Sequence, residues 1–212
     1  MKNMICAFFL SSSLAACGSG GGGNLSVVPA IAQNTARDFV SPDLTLQGDK
    51  FRVVVDGTGV DLPHPSWKDD FTSGGDGIVD YLAVRSDDFV AVAGIYDDTP
   101  FARVTGDYAV PVTDQTLTYQ GKIVLRSGAT TVSTPMDLTL HMGWTIPRLL
   151  GNLPAHQLDV SASMDAKGAL TGSVGYSGSY SDLTGGVFGQ AGLGAAFAGS
   201  EFYGVIKGTR VE

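Results

Sequence analysis

A period of two runs through much of this chain. Between positions 116 and 126, Leu117, Tyr119, Gly121, Ile123 and Leu125 share one face, and Thr116, Thr118, Gln120, Lys122 and Val124 share the other. Met136, Leu138, Leu140 and Met142 alternate with polar or small residues in the same way. Such alternation is the mark of a half-buried strand. It predicts strands over 78–85, 89–96, 101–110, 116–126, 131–142, 157–164, 169–180, 183–188, 195–198 and 202–208. Turn signals separate them: Ser86-Asp87-Asp88, Asp97-Asp98-Thr99-Pro100, Ser127-Gly128 and Asp165-Ala166-Lys167-Gly168. Further upstream, 44–56 reads as a strand pair or one bent strand around Gly48 and Asp49. Residues 57–77, broken by Pro63 and Pro65, read as a long loop, and 147–153 as at most a turn. Many short, evenly spaced strands predict an all-β sandwich or barrel.

Glycine decides between the two. It supplies 29 of 212 residues, and eleven of these fall between Gly172 and Gly208, many inside strands. Glycine within a strand marks a bend, a bulge or a close approach, and repeated bends let a small sheet close on itself. Tyr176, Tyr180, Phe188, Phe197, Phe202 and Tyr203 are interleaved with them and suit the filling of such a barrel. The expectation is an antiparallel up-and-down barrel of about eight strands over residues 78–212. A short irregular N-terminal region, residues 25–77, precedes it as a lead-in or small handle.

The first residues belong to targeting. Lys2, the apolar stretch from Met4 to Leu10 and the small residues after it read as a secretory signal over residues 1–16. Its end, Leu14-Ala15-Ala16-Cys17, resembles a bacterial lipobox, which implies cleavage before Cys17 and lipidation (diacylglycerol and palmitate) of its thiol. Residues 17–24 carry five glycines and read as a flexible tether to that anchor. Removing 16 residues from 212 leaves 196, and loss of Lys2 moves the net charge from −8 to −9. With Cys6 removed and Cys17 acylated, no thiol is left for a disulfide, a thiolate metal site or a nucleophile. The acidic balance argues against a nucleic-acid partner. A membrane-spanning barrel also alternates, but a lipid anchor would be superfluous on one, and the final residues lack a terminal aromatic.

The string Gly185-Gly186-Val187-Phe188-Gly189-Gln190-Ala191-Gly192-Leu193-Gly194-Ala195-Ala196-Phe197 resembles the barrel segment of transferrin-binding protein B and its small relatives. The closing Phe202-Tyr203-Gly204-Val205-Ile206-Lys207-Gly208-Thr209-Arg210 is similar to the last strand of the shorter members. Gln190 stands where that pattern has proline, and Val187 replaces its first aromatic. The resemblance implies an eight-stranded barrel on a lipid anchor at the outer membrane of a Gram-negative bacterium, on the cell surface or the periplasmic face. It does not imply transferrin binding, because this chain has room for one lobe.

Candidate chemistry is sparse. His64, His141 and His156 show no metal-ligand spacing. The resemblance implies haem as a ligand for His141, at a strand end before Met142-Gly143-Trp144. Asp69-Asp70, Asp87-Asp88 and Asp97-Asp98 read as turn residues. No nucleophile elbow or phosphate loop appears, so the chain is not read as an enzyme. Loop aromatics are the better clue, because exposed Trp is enriched at contact hot spots. The candidate contacts for a ligand or protein partner are Trp144, Ile146, Trp67 and His141. The expected function is capture of a partner by barrel loops. The alternatives are a haem or lipophilic-ligand carrier and a structural envelope lipoprotein.

Overall fold

A computed structural model describes residues 39–48, 50–63 and 66–211. The signal segment, Cys17, the glycine-rich stretch and His64 lie outside the described residues. The regular structure of the rest is strand apart from one 3₁₀ turn, in two four-stranded sheets and one closed barrel.

The first sheet is a meander of β1 (Phe39–Val40), β2 (Leu44–Gln47), β3 (Lys50–Val55) and β4 (Thr58–Leu62). The second is β5 (Phe71–Gly75), β6 (Val79–Arg85), β7 (Phe89–Tyr96) and β8 (Thr99–Gly106). The barrel runs in chain order through β9 (Thr116–Ser127), β10 (Thr130–His141), β11 (Arg148–Leu153), β12 (Leu158–Met164), β13 (Ala169–Tyr176), β14 (Ser179–Phe188), β15 (Gly192–Ala198) and β16 (Tyr203–Val211). It closes where β16 pairs with β9, placing Val205 opposite Val124 and Lys207 opposite Lys122. The eight-stranded antiparallel barrel expected from the alternation is therefore present.

Tight turns follow from residues that accept left-handed backbone. Asp69-Asp70 and Asp97-Asp98 both have positive φ at each position (50° and 67°, 46° and 63°). That is the backbone of a two-residue hairpin turn matched to strand twist. Asp88 donates its amide to Ser86 Oγ in the turn between β6 and β7. The acidic pairs are thus turn residues, as their composition suggested.

Three apolar cores stack in order. Leu44, Leu46, Phe51 and Val53 of the first sheet meet Tyr81, Val90, Val92 and Phe101 of the second. The opposite face of the second sheet (Leu82, Val84, Phe89, Ala91 and Ala93) lies on the outer barrel wall at Val124, Phe188, Ala196, Tyr203 and Val205. The barrel interior is filled by its own side chains, among them Tyr119, Ile123, Met136, Leu138, Phe197 and Phe202. Elsewhere the wall is polar outward, with Gln120, Asp137, Asp159 and Asp182 alternating with those inward residues. A membrane-spanning barrel has the opposite arrangement, an apolar outer band.

Several expectations are corrected. The strands expected over 78–85, 89–96 and 101–110 are β6, β7 and β8 of the second sheet, not barrel staves. β7 is buried at six consecutive positions from Phe89 to Gly94 because cores cover both its faces. A continuous apolar run is the signature of such a strand. The supposed loop over 57–77 contains β4 and β5, since Val60 and Leu62 alternate into the first core beyond the Gly57 turn. The supposed turn over 147–153 holds β11, which is needed to bridge β10 and β12. The single strand expected over 169–180 is split by a Ser177-Gly178 turn into β13 and β14.

Candidate binding rim at one end of the barrel

The two ends of the barrel differ. At one end, β9–β10 and β13–β14 are joined by tight turns, and β11–β12 by a short 3₁₀ turn, Pro154–His156. The other end carries the β10–β11 loop and the incoming segment between β8 and β9. That segment forms a strap over positions 107–115. The Tyr108 ring packs tilted against Phe188 at 4.8 Å between centroids, and the Ala109 amide donates to the Val187 carbonyl at 2.8 Å. Gly186 makes this possible, because a Cβ there would overlap the Tyr108 ring. At its other end the strap meets the loop: a Cβ on Gly143 would lie 2.6 Å from the Asp114 carbonyl oxygen.

The strap and loop carry most of the exposed large hydrophobic side chains among the described residues. Large hydrophobics exposed among the described residues are Val40, Ile78, Tyr108, Val110, Val112, Trp144, Ile146 and Tyr180. Five of the eight belong to this rim, and Val112 is fully exposed. Trp144 is held in place: its ring stacks on His141 at 4.4 Å and 6°. His141 Nδ1 lies 3.3 Å from Thr116 Oγ1, which fixes the imidazole on the outer side of the rim. An open cleft of about 530 Å³ runs between Val110, Pro111 and Val112 on one side and Gln190, Ala191 and Arg210 on the other.

Charges surround this apolar rim. Asp165 accepts the amides of Lys167 and Ala169 at 2.8 and 2.9 Å. Those backbone donors hold its carboxyl below the usual range. Burial, and after it the Asp165 charge, holds the Tyr108 hydroxyl above its usual value. Arg148 Nη2 donates to Ser161 Oγ at 3.0 Å beside the loop. Among the described residues no group of three or more His, Cys, Asp or Glu side chains is placed to hold a metal ion.

The structure thus brings His141, Trp144 and Ile146 together and separates Trp67 from them. Trp67 packs against the first core, 6.3 Å from the Phe51 ring, with the Arg85 guanidinium 4.5 Å over its face. Cys17 lies outside the described residues. The strap residues Tyr108, Val110 and Val112 escaped sequence reading because their alternation continues that of β8. Pro111, which cannot donate to a ladder, was the available signal that the strand had ended.

No protein-family model matches the chain, and no curated protein matches it. Among solved structures it is similar to a tryptophan-to-alanine mutant of transferrin binding protein B from Haemophilus parasuis Hp5. The identity is 15% and the TM-score 0.47, over 80% of this chain and 42% of that one. It is also similar to the haemoglobin receptor HpuA from Kingella denitrificans, at 13% identity and a TM-score of 0.48, over 85% of this chain and 89% of that one. HpuA in complex with human haemoglobin matches at 14% identity and a TM-score of 0.48, over 83% and 87% of the two chains. The chain spans about two-fifths of the length of the transferrin binding protein B structure.

Proposed function

We propose that this chain is a lipid-anchored binding protein of the outer membrane that captures a protein partner on the rim formed by the strap and the β10–β11 loop. The observation that carries the reading is the gathering of five exposed large hydrophobics at one barrel end. Monomeric soluble proteins rarely leave such groups contiguous without a use. A Trp whose ring is already fixed, as Trp144 is by His141, loses little freedom on binding. The rim rides on a closed barrel, so its loops are presented on a rigid support.

A carrier of haem or a lipophilic ligand inside the barrel is disfavoured, because Tyr119, Met136, Phe197, Phe202 and their neighbours occupy the interior. Lipidation at Cys17 would hold the molecule at the membrane by its acyl chains. Binding rather than catalysis is the proposed activity.

The test is site-specific photo-crosslinking from position 144 in intact cells, with position 180 as the control on the opposite end. A discrete adduct from 144 alone is expected. Truncating a central contact aromatic costs about 2 kcal/mol or more, so Trp144→Ala should weaken capture by at least tenfold while the melting temperature is kept. Equal adducts from both positions would overturn the reading. Cys17→Ser should abolish palmitate labelling, and surface protease treatment of intact cells should remove the protein if it faces outward.

A further inference from the structure

A second site lies on the seam between β5 and the barrel wall, away from the rim. An open groove of about 430 Å³ separates the edge strand β5 from β9 and β10. Its floor is apolar, with Phe71, Leu82 and Val124. Its sides carry Lys68, Lys122 and Arg126 against one carboxylate, that of Asp69. This is a concentration of positive charge in a chain with 21 acidic and 13 basic residues.

The cations are not equivalent. The Arg126 guanidinium is paired with Asp80, and Lys207, on the neighbouring strand, with Asp70 at 2.7 Å. Among the described residues Lys68 and Lys122 have no carboxylate partner. The Lys122 ammonium, half-buried, is held 4.9 Å from the centroid of the Phe71 ring, which fixes its position without neutralising it. Ser73, Thr131 and Ser133 add exposed hydroxyls along the walls. Each is one donor and two acceptors. Point charges, a row of hydroxyls and an apolar floor match a ligand that is itself polyhydroxylated, ring-shaped and anionic. The volume lies within the usual range for a small-molecule site.

We propose that this groove binds a saccharide of one or two rings carrying sulfate or phosphate groups. Lys68 and Lys122 take the anionic groups, the hydroxyls of Ser73, Thr131 and Ser133 meet the sugar hydroxyls, and the ring lies along the apolar floor at the edge of Phe71. The site is distinct from the protein-capturing rim and does not depend on it.

The test is calorimetric titration of the full chain with a sulfated disaccharide prepared from heparin. Its desulfated form, inorganic phosphate and phosphatidylglycerol vesicles serve as separate arms. Binding of the sulfated disaccharide is expected, falling as salt is raised. Lys68→Gln and Lys122→Gln should each weaken it about tenfold, as loss of a charge-assisted hydrogen bond does. Ser133→Ala should weaken it severalfold. Trp144→Ala should leave it unchanged, which separates this site from the rim. Unaltered melting temperatures establish that the lysine variants are folded, and both side chains are at least partly exposed. Equal binding of the desulfated sugar, equal binding of inorganic phosphate, binding to vesicles alone, or lysine variants that bind like the parent would each overturn the proposal.

Discussion

Phe89→Ala tests whether the second sheet is held to the barrel by packing. Phe89 is 0% exposed and stacks on Phe188 at 4.8 Å and 24°. It lies over Gly194, where any Cβ would overlap its ring. Truncating a buried Phe costs about 3–5 kcal/mol, of which the ring pair with Phe188 supplies about 1 kcal/mol. For a domain of this size each kcal/mol moves the melting temperature by about 2–4 °C, so a fall of roughly 10 °C is expected. The chain has only two tryptophans, and they divide the molecule: Trp67 sits on the first core and Trp144 at the barrel end. Trp144→Phe therefore leaves a fluorophore that reports the sheets, and Trp67→Phe one that reports the barrel. In the parent the two transitions should coincide. In Phe89→Ala the Trp67 transition should move by most of the expected shift and the Trp144 transition by much less, because the barrel interior does not include Phe89. Equal displacement of both transitions, or a loss below about 1 kcal/mol, would refute the packing argument.

Gly186→Ala should push the Tyr108 ring off the wall and loosen the strap, seen as faster hydrogen exchange of the Ala109 amide that now donates to Val187. Tyr203 is buried on the seam beside the Arg126–Asp80 pair, and burial first, then the Asp80 carboxylate, raise its hydroxyl well above the ordinary value. The neutral phenol is thus the form the fold favours. Its contribution is complete below the unfolded value of about pH 10 and is lost as pH climbs toward the folded one. Alkaline titration should show tyrosinate absorbance appearing late for Tyr203 and together with unfolding; ionisation of Tyr203 near pH 10 in the folded state would contradict its burial. At the acid end the sign is reversed for Asp165, whose carboxyl is lowered by the amides of Lys167 and Ala169. NMR titration should find it charged below the usual carboxylate range, with those two amide shifts following the same curve.

The barrel was legible because its strands face two environments. An apolar interior and a polar exterior force alternation, and Leu117, Tyr119, Ile123 and Leu125 display it with no help from neighbours. The second sheet obeys a different rule. Phe89, Ala91 and Ala93 face the barrel wall while Val90 and Val92 face the first sheet, so the sequence shows an unbroken apolar run and no alternation at all. Counting both kinds of strand as staves moved the expected start of the barrel forward to residue 78. It also made the glycines look like devices of closure alone. Gly186 and Gly194 have another role: they bare the outer wall so that Tyr108 and Phe89 can lie on it. The candidate rim was legible only in part for a related reason. Trp144 and Ile146 stand in an evident loop, but Tyr108, Val110 and Val112 carry on the two-residue period of β8 after the ladder has stopped at Gly106. Period describes which way side chains point and is silent on whether a partner strand is there to cover them. Exposure of that apolar face becomes apparent only once the closed barrel has used every strand edge at this end and left the strap unpaired beyond Ala109. The condition that hid Val110 and Val112 from the sequence is the one that exposes them: they continue the period of β8 where no strand of the described residues covers their face.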